Sequence, residues 1–398
     1  MTPPVFDVAV AGAGPAGAWT AYRLARDGAR VAIVDGSHPR EKPCGGGVTA
    51  RALELIANSH LFPGTARTVG EHALVVRAAI FEQDSSATTV PLPDHALAVV
   101  SRATFDRALL DAALNAGAEL VPERVIDAGT NADGAWFRTA RHRLTSAWIV
   151  GADGAAGLVR RRVWRPFRRD QISIATGYFA HGVSSPDIIV RFTEHPPGYA
   201  WSFPRTDHLA IGVCAQADAA SAGALRQWTK RWIERTGLAK DATLAPYSWP
   251  IPSLSERDIA DERASGPRWM LVGDAAGLVD PITREGIFFA LQSADAAAAA
   301  IAAGGNAARR YDAALRRLVY PELARAARLK ARFFEPRFLR LLLVALHRPS
   351  IAAIMADLVA GRQTYHGLRR RLLRTLELGL AWQLFVREHK VARVPALR

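Results

Sequence analysis

The residues best suited to chemistry lie in a glycine loop near the start of the sequence, at Gly12, Gly14 and Gly17. Glycines at this spacing permit a tight turn, the close approach of a pyrophosphate and close packing of a helix on a sheet. The helix that begins at Ala16 would offer backbone N–H groups to a phosphate. Asp35 closes the following strand 18 residues after Gly17, where its carboxylate can accept a hydrogen bond from a ribose hydroxyl. These residues predict a dinucleotide-binding site.

Two later segments again combine glycine with an acid. The first is Gly151-Ala152-Asp153-Gly154, and the second runs from Gly273-Asp274 through Gly277 to Pro281. In this order the three segments resemble the flavoprotein superfamily of para-hydroxybenzoate hydroxylase, over roughly residues 5 to 300. The resemblance implies FAD in place of NAD in the first loop. NAD is the alternative, but it would leave the segment at Gly273 unexplained.

The resemblance also implies which residues contact the flavin. Asp274 would lie near its ribityl and pyrophosphate groups. The amino end of a helix from Gly286 to about Ala303 would face its pyrimidine edge, where the helix dipole stabilises negative charge. Arg284 either adds to that effect or is a surface side chain. The remaining implied contacts are Arg102, Asp153, Gly273, Gly277, Pro281, Gly286 and Ile287.

A second, narrower resemblance rests on two motifs between these segments. Lys42-Pro43-Cys44-Gly45-Gly46-Gly47 follows the second strand, and Gly198-Tyr199-Ala200-Trp201-Ser202-Phe203-Pro204-Arg205 lies in the middle of the chain. Together they are similar to the geranylgeranyl reductase family, with a Pro-Cys-Gly-Gly segment beside the flavin and a Tyr-x-Trp-x-Phe-Pro motif along the prenyl site. The resemblance implies that reduced FAD reduces double bonds of a prenyl lipid or isoprenoid, with NAD(P)H or ferredoxin as the external reductant.

The residue types agree with that chemistry, because reduction of an isolated alkene needs a hydride, a proton donor and a dry apolar slot. We expect Cys44 to be the catalytic proton donor, since the glycines at 45–47 let the backbone approach the flavin and present the thiol. A buried structural cysteine is the alternative. Tyr199, Trp201 and Phe203 alternate along a strand and share one face. They would bind substrate along an apolar channel, or else form an aromatic sheet core.

Two other functions remain open. A flavin monooxygenase or halogenase would use oxygen at the same ring and act on a small apolar or aromatic substrate. Halogenases carry a Trp-x-Trp-x-Ile-Pro motif, which residues 199–204 imitate in part. Arg205 and Cys214 stand where the reductase pattern usually has lysine and glycine. The alternative that is not an enzyme is a flavin-bound electron carrier or scaffold attached to a membrane.

The hydrophobic pattern of the sequence predicts the strands and helices that position these side chains. A strand at 6–11, a helix at 16–27 and a strand at 30–34 form a β-α-β unit, and residues 167–252 are patterned as antiparallel strands. We therefore predict an α/β fold: a Rossmann-type FAD-binding domain with an inserted antiparallel β-sheet substrate domain and a C-terminal helical tail. The predicted ranges are 1–75, 101–165 and 263–328 for the FAD-binding domain, 76–100 and 166–262 for the substrate domain, and 329–398 for the tail.

The charge is concentrated in the tail. The 398 residues carry a formal charge of +14, and the 14 basic against 4 acidic residues from Lys330 to Arg398 contribute +10 of it. Apolar residues recur there at helical spacing from Leu372 to Val386, with arginines around them. We expect this amphipathic tail to lie on an anionic membrane surface, and the alternative is that its helices pack on the flavin domain or form a dimer.

Other classes of protein are disfavoured. Cys44 and Cys214 are too few and too far apart for a disulfide framework or a cysteine metal site, so we expect no metal. No nucleic-acid-binding motif accompanies the basic charge, so we expect no nucleic-acid partner. The first residues lack a basic-then-apolar leader, which favours a cytoplasmic protein, attached peripherally to a membrane if the tail binds lipid. The expected partner is an isoprenoid or another apolar small molecule.

Overall fold

The structure is a computed structural model that describes residues 6–59, 71–83, 86–375 and 378–385. Its strands are β1 (Phe6–Ala11), β2 (Val31–Val34), β3 (Gly47–Thr49), β4 (Leu74–Val75), β5 (Ala78–Gln83), β6 (Ser86–Pro91), β7 (Leu97–Val99), β8 (Glu119–Val121), β9 (Asp127–Thr130), β10 (Ala135–Arg138), β11 (Arg143–Gly151), β12 (Ile172–His181), β13 (Ile188–Thr193), β14 (Gly198–Pro204), β15 (His208–Gln216), β16 (Thr243–Pro252), β17 (Ser265–Gly266) and β18 (Trp269–Leu271). Its α-helices are α1 (Pro15–Arg26), α2 (Ala50–Ala57), α3 (Arg102–Asn115), α4 (Leu158–Val163), α5 (Ala222–Thr236), α6 (Glu256–Ala260), α7 (Ile287–Ala302), α8 (Ala307–Leu318), α9 (Tyr320–Phe333), α10 (Pro336–Ala345), α11 (Pro349–Val359), α12 (Tyr365–Arg374) and α13 (Leu378–Phe385).

The first sheet carries the amino-terminal glycine loop. Strands β18, β11, β1, β2 and β8 lie side by side in that order and are parallel. Strand β17 and the β9–β10 hairpin extend this sheet with antiparallel pairs. Strand β2 is fully buried and β1 nearly so, which is typical of parallel strands covered on both faces. The predicted Rossmann-type core is therefore confirmed.

Local sequence explains where α1 begins and ends. Pro15 occupies the first turn, where the missing backbone N–H has no partner to lose. Beyond the helix, Gly28 has a φ of 91°, a left-handed conformation that favours glycine. Against α1 lies α7, and the Trp19 ring N–H and the Arg23 guanidinium both donate to Asp295 of that helix. The amino ends of both helices thus lie at the carboxyl edge of the sheet.

The second sheet forms the predicted substrate domain. Its strands lie in the order β16-β12-β15-β14-β13-β5-β6. Neighbours are antiparallel except β13 and β5, which run parallel where residues 78–91 join the edge of the sheet. One face is covered by α5, whose Trp232 is buried beside Ile211 of β15. The other face carries the aromatic side chains of β14.

Helices α9 to α13 cover that aromatic face and form what we call the helical layer. Leu342 of α10, Ile354 of α11 and Leu372 of α12 are buried in one apolar cluster with Phe81 of β5 and Phe192 of β13. The layer therefore buries its apolar side chains against the substrate-domain sheet instead of forming a separate tail.

The single helix expected from Leu372 to Val386 is wrong in its extent. Helix α12 ends at Arg374 and α13 begins at Leu378, while residues 376–377 and 386–398 lie outside the described part of the chain. Leu372, Leu380 and Leu384 face the interior, because the sheet beneath them offers an apolar surface to cover. In the described ranges no single helix is long and apolar enough to cross a bilayer, and α10 with α11, which pass that test only together, are bent by 114°.

Candidate active site

One large cavity joins the glycine loop to the helical layer. Its volume is about 1200 Å³, and its lining runs from Gly12 and Asp35 at one end to Leu380 and Leu384 at the other. Single small-molecule sites usually have volumes of roughly 300 to 1,000 Å³. The cavity therefore has room for a dinucleotide together with a second ligand.

The glycine loop leaves one of its positions open toward this cavity. Gly12 has a φ of 102°, and a Cβ there would collide with the Ala152 carbonyl. A Cβ at Gly17 would collide with the Gly12 carbonyl oxygen, so this glycine permits the close packing of α1 on β1. A Cβ at Gly14 would meet only the His38 ring, at 3.5 Å. Gly14 thus keeps free the space above the helix amino end that a pyrophosphate needs.

Asp35 lies on the cavity wall near the glycine loop. Its Oδ2 accepts from the Ala13 backbone N–H at 2.8 Å and lies 2.7 Å from His38 Nδ1, while Oδ1 accepts from the Ser37 N–H. Burial raises the pKa of Asp35, but the hydrogen bond and charge of His38 and the backbone N–H groups outweigh it and hold the pKa well below its ordinary value. Asp35 is therefore a carboxylate, the form that accepts hydrogen bonds.

The second and third acidic segments reach the same cavity. Asp153 is half-buried, and desolvation raises the pKa of its carboxyl to about 6. Its buried Oδ1 has no hydrogen-bond partner among the described residues. Asp274 accepts from Lys42 Nζ at 3.1 Å, with both side chains on the cavity wall. A bound FAD would supply hydroxyl groups for the orphaned Asp153 oxygen, so the residues present fit this cofactor.

Cys44 lines the cavity and is held from several sides. Its Sγ accepts from the Gly46 backbone N–H at 3.1 Å and from Arg102 Nη1 at 3.7 Å. Arg205, which is buried, donates to the Gly45 carbonyl at 2.6 Å and to the Cys44 carbonyl at 3.3 Å. A Cβ at Gly46, whose φ is 68°, would collide with the Arg205 guanidinium. The glycine run therefore admits Arg205, which fixes the backbone of the thiol.

A network of buried charged side chains connects Cys44 with Asp35. Arg102 donates through Nε and Nη2 to both carboxylate oxygens of Asp106, each at 2.8 Å. Asp106 Oδ2 lies 3.7 Å from His38 Nε2, and His38 in turn contacts Asp35. Sequence analysis missed His38 and Asp106. The four-residue spacing of Arg102 and Asp106 on α3 was the available signal.

The aromatic residues of β14 form one wall of the cavity. Tyr199, Trp201 and Phe203 all line it, and the Tyr199 hydroxyl donates to the Thr283 carbonyl at 2.8 Å. Burial raises the pKa of Tyr199 far above its ordinary value, so its hydroxyl stays protonated. A Cβ at Gly45 would lie 2.9 Å from the Phe203 ring, so this glycine also permits the close approach of the wall to the Cys44 loop.

Arg284 is not a surface side chain. Its φ is 61°, and its guanidinium lines the cavity and donates to Ser253 Oγ at 2.5 Å. Gly286 and Ile287, at the start of α7, line the cavity beside it. The side chain is directed toward the substrate-domain sheet, where Ser253 follows β16.

Some of the predicted site residues line the cavity, and others do not. Most of them line the cavity, namely Gly12, Gly14, Ala16, Asp35, Cys44, Gly45, Gly46, Gly47, Arg102, Asp153, Asp274, Gly286, Ile287, Tyr199, Trp201 and Phe203. Four are not part of the lining, namely Gly17, Gly273, Gly277 and Pro281. Sequence analysis also missed the apolar end, which is formed by helical-layer residues such as Phe333, Leu342, Met355 and Leu368. Their helical periodicity was visible, but the surface that they cover was not.

Comparison with known proteins places this fold in a family. Residues 5–311 match the sequence family described as an FAD binding domain. The chain is 29% identical over 363 residues to a menaquinone reductase of Mycolicibacterium smegmatis, covering 84% of this chain and 86% of that protein. It is 27% identical over 316 residues to a geranylgeranyl diphosphate reductase of Rhodobacter capsulatus, covering 72% of each.

Solved structures agree on the fold. A geranylgeranyl bacteriochlorophyll reductase-like protein from Thermoplasma acidophilum gives a TM-score of 0.73 at 20% identity, covering 93% of this chain and 98% of that one. Flavin-dependent halogenases have the same fold at similarly low identity. At this level of identity, the likeness is one of fold alone.

Proposed function

Because the chain belongs to the FAD binding domain family and is an FAD-dependent oxidoreductase, we propose that it reduces carbon–carbon double bonds of a prenyl lipid or isoprenoid. The observation that carries this proposal is the continuity of the cavity from the glycine loop and Cys44 to the helical layer, where leucine, isoleucine and phenylalanine side chains surround it. A long apolar chain would lie in that end of the cavity. Removing its apolar surface from water would stabilise the complex by about 25 cal/mol per Å².

The residues divide the work in this proposal. Gly14, Asp35, Asp153 and Asp274 would hold the cofactor, and FAD that the external reductant has reduced would supply a hydride to one alkene carbon. Cys44 holds a proton at Sγ and delivers it to the other carbon, so that the two hydrogens saturate the bond. The aromatic wall and the helical layer exclude water from the reacting carbons. NAD(P)H or ferredoxin would return electrons to the flavin.

Anaerobic spectroscopy of the FAD-loaded protein tests the proposal. We expect that a polyprenyl alcohol restores the absorbance of oxidised flavin after reduction, and that a fully saturated alcohol of equal length does not. Reoxidation that requires oxygen would instead indicate a monooxygenase or halogenase. Reoxidation by neither the lipid nor oxygen would leave only an electron carrier.

We also propose that the helical layer touches an anionic membrane surface. Val344 of α10 is 71% exposed, and Leu378 and Trp382 of α13 are 61% and 54% exposed on a helix that packs against α10. Arg337 and Arg340 are exposed on α10 as well. Apolar side chains flanked by arginines bind anionic lipid surfaces through burial and charge together. A prenyl lipid in that membrane would then reach the apolar end of the cavity over a short path.

Liposome co-sedimentation tests the surface. Binding of the FAD-loaded protein should rise with the share of anionic lipid and fall with salt, because the attraction is screened. The double substitution Val344→Glu and Trp382→Glu should weaken it. Val75→Glu is the matched control, since Val75 is 55% exposed on β4, which pairs with β7 in a small sheet outside the helical layer. Binding that is absent, or that does not depend on salt, would contradict a membrane-facing layer.

A further inference from the structure

Two cationic side chains share one oxygen beside the cavity. Ser253 Oγ accepts from Arg284 Nη1 at 2.5 Å and from Lys330 Nζ at 2.8 Å. Lys330 also donates to Gln216 Oε1 at 2.7 Å. Arg284 lies on the cavity wall, and Lys330 of α9 meets it at the shared Ser253 hydroxyl. Two positive side chains are therefore close together beside the cavity.

Ion pairs do not balance this charge. Within the described ranges, neither Arg284 nor Lys330 lies within ion-pair distance of an aspartate or glutamate, although the charge of Asp218 acts on Lys330 from farther away, and both side chains are half-buried. Desolvation, together with the charge of Arg284, lowers the pKa of Lys330 to about 7. Buried charges in proteins are ordinarily paired, and an unpaired cluster of one sign calls for a counter-ion.

The backbone conformation of Arg284 is a second indication that its side chain binds a ligand. Its φ of 61° lies in the left-handed region, which favours glycine and costs another residue on the order of 1 kcal/mol. The side chain that occupies this position leaves its Nε buried without a hydrogen-bond partner in the described structure. The fold therefore maintains an unfavourable backbone conformation at Arg284. This conformation places on the cavity wall a side chain whose Nε–H lacks a hydrogen-bond partner.

We propose that Arg284, backed by Lys330, is a binding site for the anionic phosphate head group of an amphiphile whose apolar chain occupies the cavity. Guanidinium groups bind phosphate oxygens through charge-assisted hydrogen bonds, which are stronger than neutral ones. The head group completes the hydrogen bonding of Arg284 and gives Lys330 a counter-charge. The inference rests on the proposed function only for the apolar chain.

Calorimetric titration of the oxidised, FAD-loaded protein with farnesyl phosphate and with farnesol tests the subsite without turnover. The two probes share a chain and differ only in the phosphate. We expect the phosphate to bind roughly tenfold more tightly or better, the effect of one charge-assisted contact. Arg284→Gln should remove this preference while farnesol still binds, and Lys330→Met should reduce it several-fold. Arg317→Gln, on the exposed face of α8, is the matched control and should keep it.

The possible outcomes separate this inference from the proposed function. Equal affinity of the two probes, or an undiminished preference in Arg284→Gln, would overturn the subsite while leaving the apolar cavity intact. Failure of both probes to bind would contradict the cavity proposal and the subsite together. Inorganic phosphate that competes at the same concentration as farnesyl phosphate would show a free-phosphate site and contradict the assignment to a lipid head group.

Discussion

The Cys44 thiol is placed by residues far from it in sequence. Gly46 and Arg102 donate to its sulfur, and Arg205 binds the carbonyls of Cys44 and Gly45. Arg205 holds the loop through its backbone carbonyls and so leaves the thiol itself on the cavity wall, beside the aromatic side chains of β14. This position is the reason why the proposed function assigns the proton transfer to Cys44.

Replacement of Cys44 tests this role. Cys44→Ser should retain FAD and the melting temperature of the wild type, because the loop is held through backbone carbonyls. Alkene reduction should slow by on the order of 10² or more, the usual loss for a positioned acid. Cys44→Ala should slow it at least as much, because it has no proton to deliver. Single-turnover rates measure the effect, and wild-type rates in both variants would remove the thiol from the chemistry.

Lys330 leads to a prediction about pH. Its pKa is lowered from 10.5 to about 7 in the folded protein, mainly by desolvation, with Arg284 lowering it further and Cys214 and Asp218 opposing. The unfolded chain therefore binds more protons between pH 7 and pH 10, so the penalty from Lys330 is full below pH 7 and fades as the pH rises.

Thermal melts of Lys330→Met across pH measure that penalty. The melting temperature of the variant minus that of the wild type should be most positive near pH 6 and should decrease toward pH 10. A difference that stays constant over this range would show that Lys330 titrates normally.

At the scale of elements, local patterns predicted some parts well. Strand β1, helix α1 and helix α7 were predicted within a residue or two, because buried strands, glycine loops and an alanine-rich run carry their signals locally. The packing of the helical layer was not predicted. Periodicity from Leu372 onward shows that one face is apolar, but whether lipid or protein covers it depends on a sheet more than a hundred residues earlier.

The helical layer should set the length of chain that the cavity accepts. Met355 of α11 lines the apolar end, so Met355→Trp would fill part of it. We expect binding of a twenty-carbon prenyl alcohol to weaken at least tenfold, with little change for a ten-carbon one. Val344→Trp adds the same ring to the exposed face of the layer and should alter neither. Equal losses for both chain lengths in Met355→Trp would mean that this end does not hold the chain.

The whole molecule combines two sheets and a helical layer around one cavity. The glycine and aspartate motifs predicted the cofactor-binding end of the cavity, because their roles depend on short local loops. The roles of Arg205 and Lys330 could not be predicted, since each acts on a partner brought close only by the tertiary fold, as Arg205 of the substrate domain does on the Cys44 loop. The cavity itself arises between elements from three parts of the chain.

Reduction of prenyl double bonds in this cavity is tested most directly by mass spectrometry of the lipid after anaerobic incubation with chemically reduced, FAD-loaded protein. We expect a product that has gained one pair of hydrogens for each double bond reduced, in yields that fall sharply with Cys44→Ser and with Met355→Trp. A lipid of unchanged mass under these conditions, or a product that has gained oxygen once air is admitted, would contradict it.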